Sequence, residues 1–382
     1  MLALDASVTF RHPLVRSSVY RASDPQERST IHRALAEATD PDVDPDRRAW
    51  HRAHAAAMPD EDVAADLERS AARAQSRGGF AAAAAFLARS SALTLDPARR
   101  ATRALAAARA KQQAGALDEA LALVEQVERG PLEEFQRARA DVVRARISFA
   151  ADRGSEAPPL LLAAARRLET HDAVLARELY LDGLAAALFA GRPGGECDAR
   201  QVAAAARAAP AAADPRRPTD RLLDGLTELI TQGPAAGTPI LREALKAFHS
   251  DAIEGEESLR WLWLAGRAAG FIWDYESWDA LTLRQIRAAR QVGALSHLPL
   301  AFSTRVGVHI FAGDTRAAAS LVAQSDALAE ATYGRIVPPY GALAVAAFRG
   351  HEDEVTRLVA TATRDFIARG EGMGWDSRSP TG

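Results

Sequence analysis

The residues best suited to do something are aromatic. Trp261, Trp263, Phe271, Trp273, Tyr275 and Trp278 crowd one short stretch, which holds four of the six tryptophans. A tryptophan buries a large area and carries one N–H donor, so such a cluster either wedges helices together or stacks a planar or sugar-like ligand. Trp261, Leu264 and Phe271 fall near one helical face, and that face is expected to point inward. Trp263, Trp273, Tyr275 and Trp278 are the candidate ligand-binding residues. Of these, Trp263 and Trp278 are the better placed for exposure.

Histidine offers less. His51 and His54 lie three apart on an expected helix, with His32 before them in sequence, and such spacing can hold a metal ion. No cysteine is near, and acids are spread throughout the chain, so a structural or solvated role is expected and no metal ligand is assigned. His12, beside Pro13, reads as a helix-entry residue. The sequence contains no Walker-type phosphate loop, glycine-rich dinucleotide turn, HExxH helix, GxSxG elbow or EF-hand loop. No catalytic residue and no cofactor is therefore expected, and the chain is not expected to be an enzyme. An enzyme on an α–α repeat would need convergent carboxylates in a deep pocket. The pairs Glu243 with Lys246 and Asp353 with Arg357 read as solvated helix faces. Arg99, Arg100, Arg103, Arg166 and Arg167 are interleaved with acids, which makes a weak phosphate-tracking stripe.

The elements that must position these residues are helices. Ala and Arg dominate the 382 residues, and strand-favouring types are scarce. A formal net charge of −3 and a pI near 6.3 give no general attraction to nucleic acid or to an anionic membrane. The single cysteine, Cys197, excludes an internal disulfide framework. The first residues lack a secretory layout, and no apolar run reaches about 18 residues. A cytoplasmic chain with no membrane partner and no direct nucleic-acid binding is the expectation.

The organisation changes near residue 59. Val8-Thr9-Phe10 reads as a brief strand running into a helix that begins at Pro13. Ser23-Asp24-Pro25 caps a second helix through Ile31 and Leu35, and a loop over 40–45 precedes a helix carrying Trp50. Residues 1–58 thus form a winged-helix-like remnant with a linker helix. Beyond them, breakers recur at Gly78-Gly79, Gly115, Gly154, Gly191, Gly233, Asp274, Gly313 and Gly350, roughly 36 to 42 residues apart. Several pair a residue tolerant of positive φ with small or acidic residues opening the next helix. The spacing predicts an all-α, tetratricopeptide-like α-solenoid of helical hairpins over residues 59–374, followed by a non-repeat tail over 375–382. Over residues 191–220 two glycine- and proline-rich runs bracket an Ala-rich helix of low apolar content, and a mobile connection is expected there.

The text FRHPLVRSSVYRASDPQERSTIHRALAEATDPDVDPDRRAWHRA, from Phe10 to Ala53, resembles a segment of the large ATP-binding LuxR-type transcriptional regulators of high-GC bacteria, in the signal-transducing ATPase class. RGGFAAAAAFLARSSALTLDPARRA from Arg77, LRWLWLAGRAA from Leu259 and WDALTLRQIRAARQVGAL from Trp278 resemble the helical middle of the same regulators. The resemblance implies a winged-helix segment followed by a tetratricopeptide-like sensor region. In that family a nucleotide-binding module precedes these parts and a DNA-binding helix-turn-helix follows them. This sequence starts inside the winged-helix resemblance and ends at GEGMGWDSRSPTG, so a truncated regulator without its own ATPase and DNA-binding modules is the expectation.

What the resemblance implies for function is sensing, in which a small-molecule inducer or a protein partner bound by the helical array shifts a conformational equilibrium. The alternatives are a free-standing tetratricopeptide-like scaffold for protein–protein interaction and a non-functional truncated regulator. A sensor predicts a closed aromatic-lined pocket near Trp263 and Trp278, whereas a scaffold predicts an open polar groove across several hairpins. The sequence assigns no oligomeric state.

Overall fold

The computed structural model describes residues 2–4, 8–10, 13–152, 157–190, 197–211, 216–249, 255–291, 298–332 and 339–369. The fold is all-α, with nineteen helices among the described residues and two three-residue strands at the start. Strands β1 (Leu2–Leu4) and β2 (Val8–Phe10) pair antiparallel, Leu2 opposite Phe10. The expected strand is β2; β1 was not expected.

The chain divides into two compact units, residues 1–143 and 144–382. The division falls inside a helix of the repeat region, where the sequence gives no boundary signal.

The first unit contains α1 (Pro13–Ala22), α2 (Pro25–Ala38), α3 (Pro45–Ala55), α4 (Glu61–Ser76), α5 (Phe80–Ala92), α6 (Pro97–Gln113), α7 (Leu117–Glu128) and the first part of α8 (Glu134–Asp152). Three of these helices open with Asp-Pro: Asp24, Asp44 and Asp96 each accept a backbone N–H from the first turn, and the following proline occupies a position whose N–H would have no helical partner. Consecutive helices pack against each other, and alanine makes the packing close. Ala83, Ala84, Ala107 and Ala110 are buried between α5 and α6, with Leu87 filling the space left over.

The second unit contains the rest of α8, then α9 (Ala157–Leu168), α10 (Ala173–Ala190), α11 (Ala199–Ala208), α12 (Pro218–Gln232), α13 (Pro234–His249), α14 (Gly255–Phe271), α15 (Tyr275–Gln291), α16 (Leu298–Phe311), α17 (Thr315–Thr332), α18 (Tyr340–Phe348) and α19 (Glu352–Arg369). Its core is built on Trp261, Tyr180 and Phe248 with leucines from α9, α10 and α12. The connection expected over 191–220 contains a packed helix. In α11, Asp198 and Gln201 form a reciprocal capping box, and Val202, Ala203 and Ala206 are buried, so methyl groups at helical spacing suffice to dock a helix of low apolar content. The expected breakers Gly154 and Gly191 and the tail over 375–382 lie outside the described residues.

The repeat is visible in the turns. At Gly78, Gly115, Gly313 and Gly350 the backbone has positive φ. In each case its N–H reaches the carbonyl three residues back and the next N–H reaches one five residues back, as in Gly313 to Ile310 and Asp314 to His309. This is the Schellman closure, which satisfies carbonyls that the helix end would leave open. The α14–α15 turn makes the same two bonds, Trp273 to Gly270 and Asp274 to Ala269, but a tryptophan holds the positive-φ position. Asp274 then caps α15 through the Ser277 N–H.

A side chain in this conformation costs about 1–2 kcal/mol. Trp273 recovers only part of that, through an edge contact with the Phe311 ring at 5.3 Å while remaining 74% exposed. Trp273→Gly is accordingly expected to stabilise the second unit, by about 0.5–1 kcal/mol, raising Tm by about 2 °C. Calorimetry of the two chains checks this, and a lowered Tm would show that the Phe311 contact outweighs the backbone strain.

Candidate ligand pocket

Five residues beyond each glycine of three of these turns stands a fully buried alanine: Ala83, Ala120 and Ala318. It lies where the second helix of the hairpin crosses the first, and a small residue sets the approach distance. The equivalent residue in the α14–α15 hairpin is Trp278. Room for its indole comes from two glycines. A Cβ on Gly270 would lie 3.5 Å from Trp278 Cε2, and one on Gly307 in α16 would lie 2.8 Å from Cζ2, closer than real Cβ contacts come. The same hairpin therefore departs from the repeat both at its turn and at its crossing point.

The departure opens a cavity of about 390 Å³ within the second unit, walled by α10, α14, α15, α16 and α18. Its volume falls in the range of small-molecule sites, at the lower end. Trp263 and Trp278 line it, as do Phe189, whose ring centroid is 4.8 Å from that of Trp263, and Phe311, 5.5 Å from Trp278. Ser303, Thr304 and Tyr340 add hydroxyl-bearing side chains, and Arg267 is the one charged residue in the wall among the described residues. The indole Nε1 of Trp278 is buried and has no acceptor among the described residues.

Arg267 lies one turn beyond Trp263 on the same face of α14, with its guanidinium over the Phe271 ring at 5.3 Å. The side chain is exposed while contributing to the cavity wall. Burial lowers its pKa from the ordinary arginine value.

The candidate residues thus separate. Trp263 and Trp278 face one cavity, while Trp273 and Tyr275, 46% exposed, are not in its wall. Trp261 and Leu264 are buried as expected, but Phe271 is 39% exposed, a correction to the inward face. It is the last residue of α14, where the partner helix has not yet begun, and its ring supports Arg267 instead. Arg267, Phe189, Gly307 and Tyr340 come from outside the sequence reading. Gly307 carried a usable signal, since a glycine inside an apolar helix marks close approach.

The three histidines meet in the first unit. His32 Nδ1 is 2.9 Å from His51 Nδ1, the Tyr20 hydroxyl is 3.1 Å from His32 Nε2, and His54 stacks on His32 at 4.9 Å. If Tyr20 donates to Nε2, the His32 Nδ1–H donates to His51, which places the second proton on His51 Nε2, a buried atom without a partner among the described residues. Burial lowers all three pKa values, reinforced by Arg28 at His32, by His32 and Arg47 against an opposing Asp44 at His51, and by His32, Arg89 and His51 at His54. His54 is taken down from 6.5 to about 4.

The fold therefore favours neutral rings. Above about pH 6.5 both folded and unfolded chains are neutral here and the stability is complete; as pH falls toward about 4 the unfolded chain protonates first and stability is lost. After discounting for partial exposure the loss is on the order of 1–2 kcal/mol. The melting of the first unit is expected to fall between about pH 7 and pH 5, before carboxylates titrate, and His54→Gln to flatten that dependence. An unchanged slope in the variant would remove His54 as the cause.

The arginines at Arg99 and Arg103 are occupied. Arg103 has a side chain 7% exposed and pairs with Glu61 at 2.9 Å and Glu68 at 3.0 Å, while Arg99 pairs with Glu61 at 3.2 Å. A polar concavity of about 310 Å³ lies in the first unit, with Arg33, Arg48, Arg52, Glu37 and Asp60 in its wall, and it is confined to α2, α3 and the start of α4. Among the described residues no helix is long and apolar enough to cross a membrane. No protein-family model matches the chain, and no curated protein does.

Proposed function

We propose that this chain is the sensor and interaction segment of a LuxR-type transcriptional regulator, working in the cytoplasm by binding a small-molecule inducer in the cavity beside Trp263 and Trp278. In this reading residues 1–58 belong to a winged-helix-like segment and the following hairpins to the sensor, while ATP and DNA are bound by other modules of such a regulator. The observation that carries it is the cavity itself. Three hairpins use glycine and alanine where this one uses tryptophan at both places, and two glycines make room for one of the rings. Local rules broken at one site, with compensation beside it, are the mark of a functional site.

A ligand held there touches α14, α15, α16 and α18 together, so its binding energy can bias how neighbouring hairpins pack. Tryptophan fluorescence and thermal melting against a metabolite extract, ATP and duplex DNA test the reading. A saturable response to a metabolite that Gly307→Ala weakens is the expected result, because the added Cβ displaces the Trp278 ring. A response to ATP or DNA alone would overturn it.

A second reading, a scaffold for a protein partner, is favoured by the exposed pair Trp273 and Phe311, 74% and 56% accessible and in ring contact. Pull-down with Trp273→Ser separates it from the first, since Trp273 is outside the cavity wall.

A further inference from the structure

The geometry points to a small aromatic monocarboxylate as the ligand of this cavity, with its ring between Trp263 and Trp278 and its carboxylate on the Arg267 guanidinium. The inference rests on the reading of the cavity as a small-molecule site.

It starts from a contrast among arginines. Several guanidinium groups of this fold are held by acids: Arg103 has Glu61 and Glu68, Arg177 has Asp220 and Asp224, and Arg217 has Asp220 and Glu178. Arg267 has a phenyl ring beneath it and a tyrosine nearby, and no acid pairs with it among the described residues. Among the described residues the cavity wall contains no Asp or Glu. The exposed guanidinium is thus left in the cavity wall without an acid from the described residues, where an anion in the cavity can reach it.

The count of charges sets the ligand's charge. One guanidinium balances one negative charge, and its planar fork suits the two oxygens of a carboxylate. A phosphate monoester or nucleotide would bring at least one further charge into a wall that has no second cation among the described residues. The rest of the wall selects for an apolar, flat body: Phe189 and Trp263 form one side, and Trp278 and Phe311 another. The volume of about 390 Å³ is suited to one or two rings rather than a sugar chain. Ser303 brings a further hydroxyl to the wall that can orient a substituent.

The test compares acids with their own amides, which keep shape and lose charge. Phenylacetate, cinnamate and naphthoate, each against its primary amide, are titrated into the full chain by calorimetry, with Arg267→Gln and Arg267→Lys in parallel. The expected result is that an acid binds roughly tenfold or more tightly than its amide to the parent chain, a preference that Gln abolishes and Lys keeps in part. An unchanged melting temperature of Arg267→Gln verifies that the variant folds. Amides binding as well as acids, or an acid preference that survives Arg267→Gln, would overturn the carboxylate assignment while leaving the cavity as a ligand site. Failure of every acid and amide to bind at millimolar concentration would overturn the assignment too, and the metabolite-extract titration then decides separately whether the cavity is a sensor site.

Discussion

Gly237→Ala is expected to destabilise the second unit by about 3 kcal/mol or more, despite placing a better helix former inside a helix. A Cβ at this position would stand 2.4 Å from both Cα and N of Leu229 and 2.6 Å from its Cβ. Those are backbone atoms of α12, which no rotamer change can move aside. The two helices are joined by Gly233 alone, so α13 has no slack with which to withdraw. Gly225→Ala provides the comparison. Its Cβ would meet Leu241 Cδ2 at 2.7 Å and Cγ at 2.8 Å, which a side-chain movement can relieve, and the Leu241 backbone N at 3.0 Å, a milder backbone clash than those at Gly237, so the cost is expected to be smaller. Urea unfolding followed by circular dichroism ranks the three chains. Equal stabilities for Gly237→Ala and the parent would mean that the α12–α13 crossing is looser than described.

That crossing shows where sequence reading reaches and where it stops. The hairpin architecture was legible because each turn needs a residue of unusual φ at a fixed distance from its neighbours, and glycine advertises that need at 78, 115, 313 and 350. The Asp24-Pro25 start of α2 was legible for a similar local reason. Gly237 and Gly225 drew no comment from the sequence, since nothing local announces that a neighbouring helix comes within contact of them. The site divided in the same way. Clustering of tryptophans located the hairpin, and Trp263 and Trp278 proved to share a wall. Separating them from Trp273 and Tyr275 required knowing which neighbours α16 and α18 supply, and these lie outside the aromatic stretch in sequence. Arg267 was unremarked because its meaning is the absence of an acid, which only a folded chain can show.

The absence matters because acids are plentiful next door. An unbroken alternation of charge runs through the second unit: Arg146, Asp182, Arg260, Glu178, Arg217, Asp220, Arg177, Asp224 and Arg216. It links α8, α10, α12 and α14, helices from successive hairpins. Convergent carboxylates on neighbouring hairpins are what an enzyme on such a scaffold would need, but these four are each flanked by guanidinium groups. At Asp220 burial favours the neutral acid, and the hydrogen bonds and charges of Arg217 and Arg177 outweigh it, holding the pKa below the usual value. A carboxylate so held is a poor proton donor near neutral pH. Its work is to register one hairpin on the next.

The network's most buried link predicts the other large effect. Arg177 and Asp220 are each 6% exposed and 2.8 Å apart, and Arg177 also reaches Asp224 at 2.6 Å. Arg177→Met is expected to cost about 3–5 kcal/mol, because Asp220 keeps its charge in a buried place with half its support removed. The larger part of that cost is the stranded anion rather than the value of the pair. Asp220→Leu added to Arg177→Met is therefore expected to recover most of it, leaving Arg217 on Glu178 at 2.8 Å. Denaturant midpoints for the parent, both single variants and the double variant close the cycle. Additive losses in the double variant would mean that the two residues act independently, and that the ionic line through these helices is a series of separate contacts rather than one coupled unit.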